Sequence, residues 1–332
     1  MTLRIGLLGC GRIGQVHARS IKALEGAKVV AVADALPAAA EALAAATGAE
    51  VRGVEAIIAA ADIDAVVIGT PTDSHFEQIM GAAKAGKAIF CEKPVDMSVD
   101  RIRACRDVVV AAGVTFLTGF NRRFDPNFAS LRARIRAGDI GAVEMVAITS
   151  RDPAPPPVSY IARSGGLFRD MMIHDFDMAR FVMGEDFVRL HAVGAALVDP
   201  AIGEAGDVDT AAVILTTASG RICQISNSRR AAYGYDQRVE VHGAKGMLRA
   251  ENQLESTVEL ATEAGFRRDP AQHFFLERYE AAYLAEMRAF VEAVTSGTPA
   301  DPGIEDGLQA QILADAATVS RETGQPVDLP AG

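Results

Sequence analysis

The turn GCGRIG, residues 9–14, constrains the fold of this chain more than any other feature. It follows a continuous apolar run, LRIGLL, and opens the segment RIGQVHARSIK, whose apolar residues recur at helical spacing. Gly9, Gly11 and Gly14 have the spacing G-x-G-x-x-G. A buried strand, a glycine turn and a helix in this order predict the first βα unit of a doubly wound parallel sheet.

An acidic residue strengthens the interpretation of this turn as a dinucleotide site. Asp34 lies twenty residues after Gly14, at the end of the second apolar strand, AKVVAVAD. The glycines let backbone amides approach a pyrophosphate, and the carboxylate accepts hydrogen bonds from the adenosine ribose. Asp34 would repel a 2′-phosphate, and Ala35 and Leu36 supply no cation, so we expect NAD rather than NADP. The alternative is that Asp34 only caps the helix that begins at Pro37.

The periodicity of the strands changes at about one third of the chain. DAVVIGT, KAIFCEKP and VTFLTGF are buried strands separated by helices, whereas strands beyond GFNRRFDP are longer and alternate with period two. Ser219-Gly220 and Lys245-Gly246 mark two hairpins. We predict a Rossmann NAD-binding domain at residues 1–121. Residues 122–332 should form an α+β domain with a large open antiparallel sheet, helices on one face, and last helices able to pack back on the first domain.

Charge and composition exclude several classes of protein. The 332 residues carry a net charge of −10, which argues against a nucleic-acid surface and against anionic membranes. No apolar stretch approaches the length of a membrane span. Four cysteines without a CxxC pair, Cys10, Cys91, Cys105 and Cys223, are typical of buried thiols in a reducing compartment. We therefore expect a cytoplasmic protein.

Two stretches carry side chains suited to catalysis. Glu92-Lys93-Pro94 follows a strand, at the sheet edge where ligands bind, so Lys93 could hold a substrate hydroxyl or take part in proton transfer. The alternative is a solvated surface lysine. GGLFRDMMIHDFDMARF, residues 165–181, has the pattern of a buried helix with Asp170 and His174 one turn apart. A histidine, with a reference pKa of about 6.5, is a natural base for a hydroxyl proton, and an aspartate can orient its ring.

The alternative for residues 165–181 is that these polar side chains lie on one face of the helix and have no function. A metal site built on Asp170, His174 and Asp177 is disfavoured because no histidine or cysteine cluster stands nearby, and we expect no metal.

The combination of these motifs resembles the glucose-fructose oxidoreductase/inositol dehydrogenase (Gfo/Idh/MocA) family over the whole chain. GLLGCGRIGQVHA, GFNRRFDPNF and GYDQRVEVHG are also similar to stretches of that family. The resemblance implies NAD-dependent oxidation of a secondary hydroxyl of a cyclitol, with myo-inositol the first candidate and scyllo-inositol, aldoses or other sugars as alternatives. It also implies a homo-oligomer, with a tetramer the first expectation.

The resemblance assigns roles to particular residues, with Lys93, Asp170 and His174 as the catalytic group. TPTDSH, residues 70–75, resembles the loop that brackets the nicotinamide ribose. The implied cofactor-binding residues are Gly9, Gly11, Arg12, Ile13, Gly14, Asp34, Thr70, Pro71, His75, Glu92, Lys93 and Asn121. The implied substrate-binding residues are Lys93, Arg122, Asp152, Asp170, His174 and Tyr235. Asp152 could instead cap a turn, and Tyr235 could be an ordinary strand residue.

Two further alternatives concern the class of protein and its assembly. A non-catalytic NAD sensor or co-repressor could share the fold, but it would not need Lys93 and His174 together. An antiparallel sheet covered on one face leaves the other open, and the mean hydropathy of +0.15 suggests that a second copy covers it. A monomer with a tolerably polar open face is the alternative.

Overall fold

The first sheet is built from six parallel strands in the order β3-β2-β1-β4-β5-β6. The computed structural model describes residues 2–330, apart from the side chain of residue 162. The strands are β1 (Leu3–Leu8), β2 (Ala27–Ala33), β3 (Glu50–Val51), β4 (Ala65–Ile68), β5 (Ala88–Glu92) and β6 (Phe116–Gly119). The helices between them are α1 (Arg12–Lys22), α2 (Pro37–Thr47), α3 (Val54–Ala59), α4 (His75–Lys84) and α5 (Val99–Ala112).

The central strands of this sheet are apolar because both of their faces are covered. Every residue of β4 and β5 is buried, as expected for parallel strands between two helix layers. Local signals set the helix ends. Pro37 opens α2 and Gly48 follows it in the left-handed conformation, and the Ser98 hydroxyl accepts from the Arg101 N–H at the start of α5.

The second sheet has seven strands, all of them formed by residues beyond Phe124. The strands of this region are β7 (Val143–Arg151), β8 (Phe187–Ala195), β9 (Thr210–Thr217), β10 (Ile222–Ser228), β11 (Asp236–Gly243), β12 (Gly246–Ala250), β13 (Glu259–Thr262) and β14 (Gly265–Arg268). The helices are α6 (Pro126–Ala137), α7 (Val158–Ser164), α8 (Gly166–Asp170), α9 (Ile173–Met183), α10 (Pro200–Glu204) and α11 (Phe275–Arg278). The last elements are α12 (Glu280–Ser296), α13 (Ile304–Thr323) and β15 (Val327–Asp328).

The order of the second sheet is β12-β11-β7-β10-β9-β8-β15. The hairpins at Ser219-Gly220 and Lys245-Gly246 join β9 to β10 and β11 to β12, as predicted. The sheet is mixed rather than wholly antiparallel, because β7 and β10 run parallel. Both neighbours of β7 come later in the chain, so no hairpin sets its direction relative to them. The hairpin of β13 and β14 forms a separate two-stranded sheet.

By internal packing the chain divides into two compact units. The first contains the residues up to Phe124 together with Ala281–Gln311, and the second contains Asp125–Glu280 and the residues from Ile312 onward. Met287, Phe290 and Val291 of α12 explain this division, because they lie in one apolar cluster with Leu7 and Phe90 of the parallel sheet. None of the helices in residues 2–330 is long and apolar enough to cross a membrane.

Candidate functional site

The glycine turn brings three backbone segments into contact. Gly9 has a φ of +94°, and a Cβ atom there would lie 2.4 Å from the carbonyl oxygen of Gly69, after β4. A Cβ atom on Gly14 would lie 1.9 Å from the Gly9 carbonyl oxygen. By contrast, a Cβ atom on Gly11 would meet nothing within 4 Å. The outer two glycines therefore permit close packing, whereas open space lies over the middle one.

That open space lies at the N-terminus of α1. Gly11 is the N-cap residue, no side chain in the described structure caps it, and the first turn holds no acidic residue. The first N–H groups of a helix lack intrahelical partners and carry partial positive charge. This end of α1, with Arg12 exposed and Ile13 half-buried beside it, fits the diphosphate of a dinucleotide.

Asp34 is tied to the same turn. Its Oδ2 accepts a hydrogen bond of 2.6 Å from the N–H of Cys10, and its Oδ1 accepts one of 2.8 Å from the N–H of Leu36. The N-cap residue of α2 is Leu36, so the helix-cap alternative for Asp34 is wrong. The carboxylate, which is partly exposed, stands beside the glycine turn at the end of β2.

The loop after β4 contains Thr70, Pro71 and His75. Thr70 is half-buried, and its hydroxyl donates to the Gln78 side-chain oxygen at 2.8 Å, whereas Pro71 is exposed. His75 is 1% exposed. Its Nδ1 lies 3.0 Å from the Pro94 carbonyl oxygen and its Nε2 lies 2.9 Å from the Thr70 carbonyl oxygen. Burial lowers the pKa of His75, which favours the neutral ring.

Glu92-Lys93-Pro94 occupies the end of β5 that the sequence predicts. Glu92 is the last, buried residue of β5, and Lys93 follows it half-buried. Glu92 Oε1 lies 2.7 Å from Nε2 of His17, and Oε2 accepts from the Lys93 N–H at 3.2 Å. Sequence reasoning did not find His17, although a histidine on the buried face of α1, three residues after Gly14, was a usable signal.

Asn121 and Arg122 lie in a short 3-10 helix, Asn121–Phe124, directly after β6. They are 3% and 5% exposed, respectively. Since β1, β4, β5 and β6 are parallel neighbours, their carboxyl ends lie side by side. The first unit therefore gathers the glycine turn, Thr70, Lys93 and Asn121 along one sheet edge, which is where open α/β sheets bind ligands.

In the second unit, the predicted single helix through Asp170 and His174 is wrong. Asp170 is the last residue of α8, and His174 is the second residue of α9. The N–H of Met172 bonds to the Leu167 carbonyl at 2.9 Å, one residue further back than in an α-helix, which ends α8. Both side chains are half-buried, and the two buried residues Met171 and Met172 separate the two helices.

Asp170 has two polar neighbours that sequence reasoning missed. Its Oδ1 accepts from the Tyr160 hydroxyl at 3.1 Å, and its Oδ2 lies 3.4 Å from Nη2 of Arg229. Arg229 follows β10 and is only 1% exposed. A buried guanidinium requires an anionic neighbour, so this pair places a compensated charge beside the predicted catalytic segment. A polar run ending in SNSRR, at the end of β10, was the only available signal.

Two other aspartates of this segment face inward. Asp175 and Asp177 are both 0% exposed, and Asp175 accepts a hydrogen bond of 2.9 Å from the Asn227 amide. Within residues 2–330, no group of three or more histidine, cysteine or acidic residues is arranged to hold a metal ion. Asp175 therefore joins α9 to β10 by a buried hydrogen bond.

Asp152 and Tyr235 lie in different surroundings. Asp152 directly follows β7, is half-buried, and its N–H bonds to the Ser228 carbonyl at 3.0 Å. Tyr235 is 6% exposed, with its ring edge-on to Phe274 and Tyr279 at 6.0 Å each. The aromatic contacts of Tyr235 are those of a packed core residue, and its role toward a substrate stays a prediction.

Residues 3–120 match the model of an oxidoreductase family with an NAD-binding Rossmann fold, and residues 128–249 match the GFO/IDH/MocA C-terminal domain. The chain belongs to the Gfo/Idh/MocA oxidoreductase family. The predicted fold class and the prediction of NAD as the cofactor are thereby confirmed.

Relatives within the Gfo/Idh/MocA family cover essentially the whole chain. It is 58% identical to an inositol 2-dehydrogenase of Rhizobium meliloti, over 96% of this chain and 97% of that one. A myo-inositol dehydrogenase crystal structure from Corynebacterium glutamicum is 44% identical and superimposes with a TM-score of 0.95 over 100% of both chains. A scyllo-inositol dehydrogenase from Lactobacillus casei, with bound NAD(H) and scyllo-inositol, is 32% identical, with a TM-score of 0.93 over 99% of both chains.

The glycine turn permits a matched pair of substitutions. Gly14→Ala should lower the free energy of unfolding by about 3 kcal/mol, because its Cβ collides with the Gly9 carbonyl oxygen. Gly11→Ala has room for its methyl group and should lower stability by less than about 1 kcal/mol. It should nevertheless weaken NADH binding by about tenfold or more, since the methyl group fills the diphosphate space. Denaturant titration and NADH fluorescence titration measure the two effects. Unchanged NADH affinity in Gly11→Ala would contradict this placement of the diphosphate.

Proposed function

We propose that this protein is an NAD-dependent inositol 2-dehydrogenase that oxidises myo-inositol to 2-keto-myo-inositol. The observation that carries the proposal is the full-length likeness to the Rhizobium meliloti enzyme, at 58% identity. The uncapped N-terminus of α1, the Asp34 carboxylate bonded to the glycine turn and the half-buried Lys93 at the same sheet edge support it. NAD binding is assigned to residues 1–121, and substrate binding and assembly to residues 122–332.

The chemistry divides between the two groups of side chains. NAD, when bound, supplies the acceptor for the hydride that leaves the substrate carbon. His174 takes the hydroxyl proton, and Asp170 orients the imidazole and stabilises its protonated form. Lys93 holds the reacting hydroxyl and favours the developing alkoxide through its positive charge. The products are the ketone, NADH and one proton, so charge and electrons balance.

Further polar residues are assigned to a substrate with many hydroxyls. Arg122, Asp152 and Tyr235 are each assigned to substrate hydroxyls. Arg229 and Tyr160, through their contacts with Asp170, keep the carboxylate in place. A cyclitol needs this mixture of donors and acceptors along its ring.

The direct test is the appearance of NADH absorbance when purified protein is mixed with NAD and myo-inositol. Scyllo-inositol and a panel of aldoses in parallel distinguish the first alternative, in which another polyol is preferred. NADH binding without turnover of any polyol would favour the second alternative, a non-catalytic NAD sensor. The proposal predicts turnover with myo-inositol at the highest kcat/KM of the panel.

Replacement of the proposed catalytic residues should separate their roles. His174→Ala should lose about 10²–10⁴-fold in kcat, the usual contribution of a positioned base. The rise of the oxidation rate with pH should disappear in this variant. Lys93→Ala should lower kcat and kcat/KM together while NADH affinity changes little. Asp170→Asn should lose more in kcat than in substrate affinity.

The exposed Lys84→Ala is the matched control for Lys93→Ala and should behave as wild type. Thermal melts confirm that each variant is folded. A His174→Ala variant that keeps both its rate and its pH dependence would assign proton removal to another group.

The carboxylate of Asp34 should set the choice between the two nicotinamide cofactors. Asp34→Ser removes the repulsion of a 2′-phosphate, so the ratio of kcat/KM for NAD to that for NADP should fall by at least about tenfold. Asp107→Ser, which removes an exposed carboxylate from α5, should leave this ratio unchanged. The ratio is insensitive to any common loss of active enzyme. An unchanged ratio in Asp34→Ser would mean that the carboxylate does not bind the ribose.

We further propose a cytoplasmic homotetramer that assembles through the open face of the seven-stranded sheet. Apolar side chains on that face are 40–56% exposed in the single chain, namely Met145, Val193, Ile214, Ile222 and Met247. In the strand register Ile222 pairs with Met145, Met145 with His242, and His242 with Met247, so the three apolar side chains share one face. Ile214 pairs with Gln224, two residues after Ile222, and with His191, two residues before Val193, so Ile214 and Val193 lie on the same face. Such a patch favours a second copy as its cover. The four buried, unpaired cysteines are consistent with a reducing compartment.

Charges introduced on this face should break the assembly. Ultracentrifugation of the wild type should give four times the 35.0 kDa mass of the chain. Ile214→Lys combined with Ile222→Lys should give dimers or monomers, because two buried ammonium groups oppose the interface. Val110→Lys, a substitution of a 71% exposed valine on α5, is the control and should stay tetrameric. A tetrameric double variant would exclude this face.

A further inference from the structure

Two buried histidines contact the residues on either side of Lys93. His17, on α1, reaches Glu92, and His75, at the start of α4, reaches Pro94. Their exposed fractions are 0% and 1%. Both ring nitrogens of His75 contact loop carbonyl oxygens, and the direct cofactor contact that the family resemblance implies stays a prediction.

His17 restrains the side chain of Glu92. A carboxylate only accepts hydrogen bonds, so Nε2 of His17 donates to Oε1 at 2.7 Å. The ring is held edge-on against Phe90 at 4.7 Å and against Tyr283 at 6.0 Å. The second oxygen of Glu92 accepts from the Lys93 N–H at 3.2 Å. A continuous chain of hydrogen bonds thus runs from α1 to the backbone of Lys93.

His75 restrains the backbone on the other side of Lys93, at Pro94. Both of its ring nitrogens face carbonyl oxygens, those of Pro94 and Thr70. A neutral imidazole has one N–H and donates to one of these two acceptors at a time. Glu92 and Asp96 are the charged groups near the ring, and both favour protonation, whereas burial opposes it more strongly. His75 therefore joins the loop after β4 to the loop that carries Lys93.

We propose that His17 and His75 are positioning residues for Lys93, an inference that rests on the proposed function. They hold its backbone from both sides and so fix the point from which its flexible side chain reaches the substrate hydroxyl. A misplacement of about 1 Å in a reacting group can lower the rate by about 10²-fold. Both residues should therefore affect kcat more than the affinity for NADH.

His17 is tested with a pair of variants that differ in one hydrogen bond. Glutamine places its Nε2 donor about as far from the backbone as the histidine Nε2, so His17→Gln keeps the bond to Glu92, whereas His17→Leu removes it. We expect kcat to fall about tenfold or more in His17→Leu and to stay within about threefold of wild type in His17→Gln. NADH affinity should change less than about threefold in both.

Hydrogen exchange gives a readout that does not depend on activity. The Lys93 amide, which donates to Glu92, should lose protection in His17→Leu and keep it in His17→Gln. Glu92→Gln, which leaves His17 in place, is the second variant should His17→Leu not fold. In a double-mutant cycle, the effects of His17→Leu and Glu92→Gln on kcat should be far from additive. Equal protection and equal kcat in the leucine and glutamine variants would overturn the proposal for His17.

The role of His75 is tested with a second pair of variants, each of which keeps one of its two hydrogen bonds. Asparagine places its amide where Nδ1 stands and keeps the bond to Pro94, whereas glutamine places its amide where Nε2 stands and keeps the bond to Thr70. His75→Asn should retain at least about fivefold more kcat than His75→Gln. The reverse order, with a larger loss of NADH affinity in His75→Asn, would show that His75 serves the cofactor loop and would overturn its assignment to Lys93.

The hydrogen-exchange readout separates this proposal from the proposed function. If the wild-type protein oxidised no polyol, the loss of Lys93 amide protection in His17→Leu would still demonstrate the positioning contact. If the wild type turned over and protection did not change, the positioning role alone would be wrong.

Discussion

The close approach of Gly14 to the Gly9 carbonyl is the contact on which the rest of the nucleotide-binding unit depends. With no side chain between them, α1 starts immediately against the end of β1, and its uncapped N-terminus lies over open space at Gly11. His17 lies one helical turn after Gly14 on the same helix, and its ring reaches Glu92 at the end of β5. The helix that begins at this contact therefore carries both the diphosphate site and a contact to the residue before Lys93.

Much of the first unit was predictable because its strands are buried on both faces. Continuous apolar runs ending in glycine or acidic residues identify β1, β2, β4, β5 and β6 without ambiguity. β3 and α3 were missed because β3 has two exposed residues and α3 only six, too few for a period to show. The buried position of His17 could be predicted, but its bond to Glu92 could not, since the two residues are seventy-five positions apart in sequence.

The second unit was less predictable because its contacts depend on chain direction and on single hydrogen bonds. The alternation of β7 and β10 reveals strands, but not that they are parallel. The break between α8 and α9 lies in an apolar pair, Met171-Met172, without glycine or proline, and it arises from the Met172 N–H bonding back to Leu167. Helical spacing placed Asp170 and His174 one turn apart, whereas they lie at the adjoining ends of two helices. The partners of Asp170, Tyr160 and Arg229, come from separate segments that no local pattern connects.

Hydrogen bonds to the backbone can position a lysine that must bind a hydroxyl without involving its side chain. An ammonium has three donors on a flexible four-carbon stem, and each side-chain partner that fixes it also occupies a donor. Hydrogen bonds to the Lys93 N–H and to the Pro94 carbonyl fix the origin of the stem and occupy none of those donors. Burial of the two histidines keeps water from competing for these bonds. The sheet edge thus restrains the backbone on both sides of Lys93 through bonds in which its ammonium takes no part.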